Sequence, residues 1–278
     1  MRKNRPAYCH KFADASGIWS ITRNKDIKAI YSNPKIFSST KGVLLRSIHQ
    51  GDDPGGNLTL ALTDPPRHTQ LRAIMSRWFS MGYLRSLEEM LRMKTRTFLS
   101  QAIQHKKCDF TNDISARLTM FITCYIFGIP EKDHDNIFHW VHESFDRGTS
   151  LASHRELMIY FCELLEEKKS HPKDDLASAI VNGIASGVPL TEKEILLNFD
   201  NVMGATENAG LSISTGILAF LKNPESWEML SKNRNLLNSA IEEVLRWASS
   251  ASHSMRTVME SSTINNIKFI AGLSLIHI

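Results

Sequence analysis

Long apolar runs and a strong excess of either charge are both missing from this sequence. No segment approaches the roughly 20 consecutive apolar residues that a membrane-spanning helix needs. The basic start, Met1–Pro6, has no apolar stretch behind it, so we expect neither a signal peptide nor a membrane anchor. The 33 basic and 29 acidic residues are scattered and leave a net charge of only +4, which argues against nucleic acid as a partner. We therefore expect a cytoplasmic protein that binds neither membranes nor nucleic acid.

Cysteine is scarce, and its four positions follow no motif. They are Cys9, Cys108, Cys124 and Cys162. Spacings this wide give no disulfide framework and no metal-binding signature. Cys124 and Cys162 lie among apolar neighbours, so we predict that both are small core residues.

Signatures of hydrolytic metal sites are also missing. His142 and Glu143 are not followed by the second histidine of the zinc-protease signature, although His139 and Asp146 lie nearby. A polar helix face is the simpler interpretation. Asp174-Asp175 is followed by Leu and Ala, which predicts a helix start rather than a magnesium motif.

What the sequence does contain is a helical pattern that runs from Asp64 almost to residue 250. The 278 residues are 42% apolar and 22% charged, as in ordinary globular proteins, and show no internal repeat. Asp64-Pro65-Pro66 combines a capping carboxylate with proline near a first turn. A capping box at Thr191–Glu194 opens a helix that can reach Lys222, a length of about 48 Å. The other predicted helices cover 66–79, 83–105, 111–127, 131–146, 152–169, 174–186, 224–232 and 235–248.

Short strands and one long loop flank this helical region. Ile18–Thr22 alternates like a strand, and a short helix near Asp26 is expected to end before Asn33-Pro34. Residues 40–63 are rich in Gly, Asp and Ser and predict a long loop, which is often functional. The β-like segments after the helices are Ser254–Val258 and Thr263–Phe269.

Three basic side chains are candidates for binding an anion. His68 and Arg72 are four residues apart, so they share one helix face and could hold a pair of carboxylates or a phosphate. Arg256, in the β-like tail, could also reach an anionic ligand. The alternative for the first two is a solvated helix face, and for Arg256 an exposed position on a strand.

Small residues interrupt the middle of the long helix. Gly204 and Gly210 each cost about 1 kcal/mol relative to alanine, and Gly204 and Ala205 would leave a notch where a flat ligand could approach the backbone. Glu207 would be costly to bury unless it were hydrogen-bonded. The alternative is close packing of two helices through these small residues.

A fourth cluster combines Glu243 and Arg246. They lie three residues apart on one predicted helix face and can form an ion pair. The alternative is a surface pair that contributes little to stability.

Each cluster is weak by itself, but their order and spacing together resemble the cytochrome P-450 family, particularly its soluble bacterial members. The resemblance runs from Trp19 to about Gly272. The segments that carry it are Trp19–Arg23, Phe37–Ser39, Asp64–Arg72, Phe127–Pro130, Asp174–Ser178, Gly204–Asn208, Glu243–Arg246 and Arg256.

The resemblance implies a mainly α fold with a small β region. It also implies a b-type haem held by a cysteine thiolate, which favours cleavage of the O–O bond. The activity would be insertion of one oxygen atom from O2 into a small organic substrate. Electrons would come from a donor such as a ferredoxin and its reductase.

The resemblance also assigns roles to individual residues. His68, Arg72 and Arg256 would neutralise the two haem propionates. Gly204 and Ala205 would let the long helix approach the distal face of the iron. Glu207 would be the acid of the distal acid–alcohol pair. Glu243 and Arg246 would support the proximal part of the fold.

The sequence departs from the family pattern in two places. Asn208 stands where the family has threonine, and an amide relays protons less well than a hydroxyl. We hypothesise that protons arrive through substrate or water instead. The glycine-rich loop with the iron-binding cysteine is not present, so residues 1–272 are predicted to be one partial domain. The six residues from Leu273 resemble a translated sequencing adapter. Such a chain would bind haem weakly or not at all and would expose apolar surface.

Two other classes of protein deserve comparison. An all-helical small-molecule binding protein could retain the scaffold without the chemistry. An isoprenoid cyclase would need an aspartate-rich metal motif on a helix, and none occurs. The substrate is not encoded in any motif that we can identify.

Overall fold

The computed structural model describes residues 6–11, 17–45, 52–145, 150–264 and 267–277, and these residues form a mainly α fold with small sheets, as the sequence predicted. The α-helices are α1 (Asn24–Tyr31), α2 (Arg67–Met75), α3 (Met81–Ser86), α4 (Glu88–Gln104), α5 (Ala116–Phe127), α6 (His134–Phe145), α7 (Ser150–Ser170), α8 (Leu176–Val181), α9 (Glu192–Lys222), α10 (Pro224–Lys232) and α11 (Leu237–Ala248).

The strands are short. They are β1 (Ala7–His10), β2 (Ile18–Ile21), β3 (Phe37–Ser38), β4 (Ile184–Ala185), β5 (Val188–Pro189), β6 (Ser254–Val258), β7 (Ser262–Ile264), β8 (Ile267–Phe269) and β9 (Ser274–His277). Five of them form one sheet in the order β1-β2-β9-β6-β3, in which only the pair β2–β9 is parallel.

The chain divides into two compact units. One, which we call the sheet unit, comprises Met1–Ile74, Asn182–Asn201 and Ser252–Ile278. The other, the helical unit, comprises Met75–Val181 and Val202–Ala251. The long helix α9 contributes residues to both.

The sheet unit has its own apolar core. Six buried side chains form it, namely Ile21, Ile30, Phe37, Val258, Phe269 and Leu275. The sheet includes Ser274–His277, whose residues Leu275 and Ile276 are 2% and 3% exposed. The origin of this terminal segment, which we compared with an adapter sequence, stays a prediction.

The loop before α2 is fixed to the start of α9. Asn198 is fully buried, and its side chain accepts a hydrogen bond from the Leu60 amide (2.9 Å) and donates one to the Leu58 carbonyl (2.8 Å). These bonds satisfy backbone groups that a buried loop would otherwise leave unpaired. The part of the predicted long loop at 46–51 lies outside the described residues.

In the helical unit, α9 packs closely on α5. A Cβ added to Gly210 would lie 3.1 Å from Thr119 Oγ1 and 3.4 Å from Ala116 Cα, so glycine permits this approach. Thr206 donates a hydrogen bond to Thr123 across the same contact (3.0 Å). Close helix packing is therefore the role of this part of the small-residue segment.

Several predicted boundaries were wrong. The helix expected over 174–186 ends at Val181, and the hairpin β4–β5 follows, turning through Ser186 and Gly187, whose φ angles are 57° and 77°. The predicted β-like segment 263–269 is confirmed, since it contains β7 and β8, which pair antiparallel, whereas strand β1 was not predicted. Cys124 is buried as expected, whereas Cys162 is exposed, because the buried residues of this stretch of α7 are Phe161, Leu164 and Leu165.

Candidate functional site

A cavity in the sheet unit gathers the three basic residues that the sequence identified as anion-binding candidates. Its volume is about 440 Å³, and His68, Arg72 and Arg256 all line it. Residues that the sequence analysis did not select, including Tyr31 and Asn201, also line it. Tyr31 resembles an ordinary apolar helix-end residue, and Asn201 an ordinary polar position on a helix, so no local signal distinguished them.

Helix α2 places two of the cations on the cavity. Leu71 and Met75 are buried at 0% and 2% exposure and anchor the helix, while His68 is partly buried and Arg72 is exposed. The spacing of four residues puts His68 and Arg72 on one face. An ion pair between Arg67 and Glu194 further ties α2 to the first turn of α9.

That ion pair also completes the capping box at the start of α9. Glu194 accepts hydrogen bonds from the Thr191 amide and hydroxyl, both at 2.9 Å, and the Thr191 hydroxyl accepts one from the Glu194 amide (3.3 Å). Burial works to raise the pKa of Glu194, but the bonds from Thr191 and Arg67 outweigh it and hold that pKa below its usual value. The predicted capping box is confirmed.

Arg256 reaches the cavity from strand β6. Its neighbours Met255 and Thr257 are buried, so the alternation of the strand turns Arg256 to the opposite face. Its Nη1 donates to the Met255 carbonyl (2.7 Å) and to Ser254 Oγ (3.2 Å). Its guanidinium carbon lies 4.3 Å from the centre of the Tyr31 ring. Arg256 is thus partly buried rather than freely exposed on a strand.

Arg256 has no carboxylate within ion-pair distance among the residues that the structure describes. Burial lowers its pKa, and Tyr31 and Asp64 partly offset this effect. A partly buried guanidinium remains charged, so it is stabilised by any anion that enters the cavity.

Asp64 is the acidic residue of the cavity lining, and it already has partners. Its Oδ1 accepts from the Ser39 amide (3.1 Å) and hydroxyl (2.8 Å), and its Oδ2 accepts from Ser38 Oγ. These bonds leave Asp64 less able to neutralise Arg256. The cavity therefore presents two arginines and one histidine against one occupied carboxylate, which fits a ligand with carboxylate or phosphate groups.

The chemistry of this donor set fits the propionates of a haem. Two propionates carry two negative charges, and Arg72 and Arg256 supply two permanent positive ones. No cysteine among the described residues lines the cavity, and no group of potential metal ligands occurs in that part of the chain. The one buried cysteine, Cys124, has its pKa raised by burial to about 12, so it is not poised as a thiolate.

The residues singled out on the long helix lie in the helical unit. Gly204 is partly exposed and Ala205 is exposed, on a side of α9 different from the buried Met203 and Thr206. Asn208 is also exposed. The notch for a flat ligand at Gly204 and Ala205 stays a prediction.

Glu207 is partly buried and has a basic neighbour that the sequence did not reveal. Its Oε1 lies 4.0 Å from Nδ1 of His142, whose ring stacks on Phe138 at 5.8 Å. Burial raises the pKa of Glu207, and His142 partly offsets the shift. Its protonated form is therefore favoured more than that of a solvent-exposed glutamate. His142, which the sequence analysis interpreted as part of a polar helix face, therefore contacts Glu207.

Glu243 and Arg246 form the predicted ion pair. Arg246 Nε and Nη2 each donate to one oxygen of Glu243 at 2.6 Å, but the side chains are 60% and 65% exposed. The geometry is bidentate, yet water competes for both groups, so this pair by itself stabilises the described structure little.

No helix in the described part of the chain is long and apolar enough to cross a membrane.

Comparison with known proteins begins with a negative result, since no family model matches the chain. Curated proteins do match it. The chain is 29% identical over 281 residues to cytochrome P-450 NovI of Streptomyces niveus, covering 98% of this chain and 69% of that protein. It is 28% identical over 270 residues to the steroid C26-monooxygenase of Mycobacterium bovis, covering 92% of this chain and 61% of that protein.

Solved structures agree in fold. The P-450 OxyD, described as involved in the biosynthesis of vancomycin-type antibiotics, superposes with a TM-score of 0.86 at 25% identity. The match covers 98% of this chain and 71% of OxyD. The chain thus spans only part of the length of its relatives.

Proposed function

Because the chain belongs to the cytochrome P-450 family, we propose that it is the haem-propionate-binding and distal part of a haem-dependent monooxygenase. One relative named above is a steroid C26-monooxygenase, and monooxygenases are oxidoreductases. The observation that carries the proposal is the cavity that His68, Arg72 and Arg256 all line, where Asp64, the acidic residue among the described lining residues, is already hydrogen-bonded to Ser38 and Ser39.

In this proposal the cavity residues bind and orient a b-type haem through its propionates. Arg256 approaches from β6, and His68 and Arg72 approach from α2, so carboxylates held by them are fixed from two elements. Hydrogen bonds between charged groups are roughly twice as strong as neutral ones. When bound, the haem supplies the chemistry that activates O2 and inserts one oxygen atom into a small organic substrate.

The other roles rest on the resemblance. Gly204 and Ala205 would leave room for the cofactor, and Glu207 would hold a proton close to the exposed amide of Asn208. The raised pKa of Glu207 supports this role because a carboxyl that stays protonated nearer neutral pH can deliver a proton. An electron donor of the ferredoxin type, with its reductase, and a cytoplasmic location belong to the same proposal. No substrate is proposed.

A titration with haemin tests the proposal. We expect weak binding that Arg256→Gln and Arg72→Gln each reduce by about tenfold or more, since a hydrogen bond to a charged group contributes about 1.5–3 kcal/mol. The dimethyl ester of haemin, which lacks both carboxylates, should bind with an affinity that these substitutions leave unchanged. The control is Arg155→Gln, at a side chain that is 73% exposed in the helical unit.

Three outcomes would contradict the proposal. The first is equal binding of haemin and its ester by the unaltered chain. The second is a haemin affinity that neither Arg256→Gln nor Arg72→Gln lowers relative to Arg155→Gln. The third is no binding of haemin at all by the unaltered chain.

A further inference from the structure

Tyr31 occupies a special place beside the cavity arginine. It is the last residue of α1, next to Ile30, which is 3% exposed and packs in the core of the sheet unit with Ile21 and Phe37. The ring is therefore held by an anchored helix although it is itself 38% exposed. Its centre lies 4.3 Å from the guanidinium carbon of Arg256.

The guanidinium is held on a second side by its own strand. Both hydrogen bonds that Arg256 makes to described residues leave from Nη1, to the Met255 carbonyl and to Ser254 Oγ. Nη1 carries two N–H groups, so these bonds use both of them. The Nε–Nη2 edge, which can bind a carboxylate with two parallel hydrogen bonds, takes no part in either.

A flexible arginine would lose much side-chain freedom when it binds an anion. A guanidinium already stacked on a ring and bonded to its strand has lost that freedom beforehand, and the later binding step is favoured accordingly. The stacking is electrostatic, since the face of an aromatic ring is negative and attracts a cation. A ring at this position thus contributes to binding without touching the ligand's carboxylate.

We propose that Tyr31 is a positioning residue that preorganises Arg256 for a carboxylate-bearing ligand. The identity of that ligand as a haem rests on the proposed function, but the positioning role itself does not. A purely structural role for Tyr31, as a cover over the edge of the unit, is the competing explanation.

Arginine side-chain NMR tests the positioning role without any ligand. In the unaltered chain, the Arg256 guanidinium signals should be shifted upfield by the Tyr31 ring and their N–H groups should exchange slowly. Tyr31→Leu should remove both signatures, and Tyr31→Phe should retain them because it keeps the ring. The control is Tyr8→Leu, because Tyr8 is also 38% exposed and lies on β1 of the same unit.

The spectra overturn the proposal if Tyr31→Leu leaves the Arg256 signals as they are in the unaltered chain, or if Tyr31→Phe loses them to the same extent. If Tyr31→Leu fails to fold, the unaltered chain still decides the question, because Arg256 guanidinium signals that are not shifted upfield and N–H groups that exchange rapidly would overturn the proposal.

Haemin binding adds a functional readout. Tyr31→Leu should weaken haemin binding by about threefold to tenfold, the range expected for a partly exposed cation–π contact, while Tyr31→Phe and Tyr8→Leu should not. The dimethyl ester should bind all four proteins equally. If the unaltered chain does not distinguish haemin from its ester, the proposed function fails, and the guanidinium spectra still decide the role of Tyr31.

Discussion

Neutralising one partner of the buried ion pair between Lys168 and Asp175 tests how the helical unit is held together. Lys168 is completely buried and Asp175 is 8% exposed, and Nζ lies 2.7 Å from Oδ2. The same Nζ donates to the Gly128 carbonyl at 3.1 Å. The pair therefore joins the end of α7 to the turn after α5 and to the start of α8.

Asp175→Asn isolates the charge. The Asp175 side chain also caps α8, since Oδ1 accepts from the Ser178 amide (2.8 Å), and asparagine is an equally good cap. What is lost is the counter-charge of Lys168. Removing one partner of a buried pair costs about 3–5 kcal/mol. Glu167 remains 3.9 Å from Nζ and is 37% exposed, so we expect a value at the low end, about 3 kcal/mol.

Urea unfolding followed by far-ultraviolet circular dichroism measures this loss. The control is Lys169→Met on the same helix, because Lys169 pairs with Glu166 at 2.8 Å on the surface and should lose only about 0.5 kcal/mol. The double variant Lys168→Met/Asp175→Asn should be less destabilised than the sum of the single variants, since neither charge is then left alone.

The reasoning is refuted if Asp175→Asn costs no more than Lys169→Met. The pair would then behave like a solvated one, despite the burial of Lys168. Additive effects in the double variant would also refute it.

Three further predictions concern the helical unit. Gly216→Ala would place a Cβ 2.7 Å from Val244 Cγ1, so thermal unfolding should show that overpacking lowers the free energy of unfolding by about 1–3 kcal/mol. Adding Val244→Ala should relieve this loss, and an unchanged melting temperature of Gly216→Ala would contradict the prediction. Burial raises the pKa of Glu207 above its usual 4.5. Between pH 4.5 and the raised pKa, the folded state binds more protons than the unfolded state, so the free energy of unfolding falls as pH rises through this range. Unfolding measured across pH should therefore show Glu207→Gln gaining stability relative to the unaltered chain as pH increases, and a gain confined to acid would show the opposite sign. Ile241 and Leu245 lie four residues apart on α11 and are 48% and 51% exposed. Replacing both by Gln should raise solubility and lower the binding of a dye that reports apolar surface, without lowering the free energy of unfolding. A large loss of stability would mean that the two side chains are buried.

Local signals predicted much of the fold. Helix α9 begins within one residue of its capping box and ends at Lys222 before Asn223-Pro224, and α10 has the predicted bounds 224–232. Strand β6 also has the predicted bounds, Ser254–Val258. Capping residues, prolines and apolar periodicity act over a few residues, so they are legible in the sequence.

The turns that needed long-range support were not predictable. The start of the hairpin β4–β5 was assigned to a helix. A positive φ angle is unfavourable for serine, so nothing in the sequence indicated that Ser186 would adopt one. Contacts such as the hydrogen bond from Ser186 to Gln70 (2.8 Å) help to hold this conformation. The contact between His142 and Glu207 joins two helices distant in sequence, so spacing alone gave no sign of it.

The sequence by itself determined most of the helices and strand β6, and it placed His68, Arg72 and Arg256 on elements whose order and spacing resemble one family. Only the tertiary structure decided that these three side chains share a cavity, that Asp64 is already occupied, and that Tyr31 stacks on Arg256. The physical reason is that desolvation and convergence depend on which distant segments pack together, and spacing along the chain does not specify this.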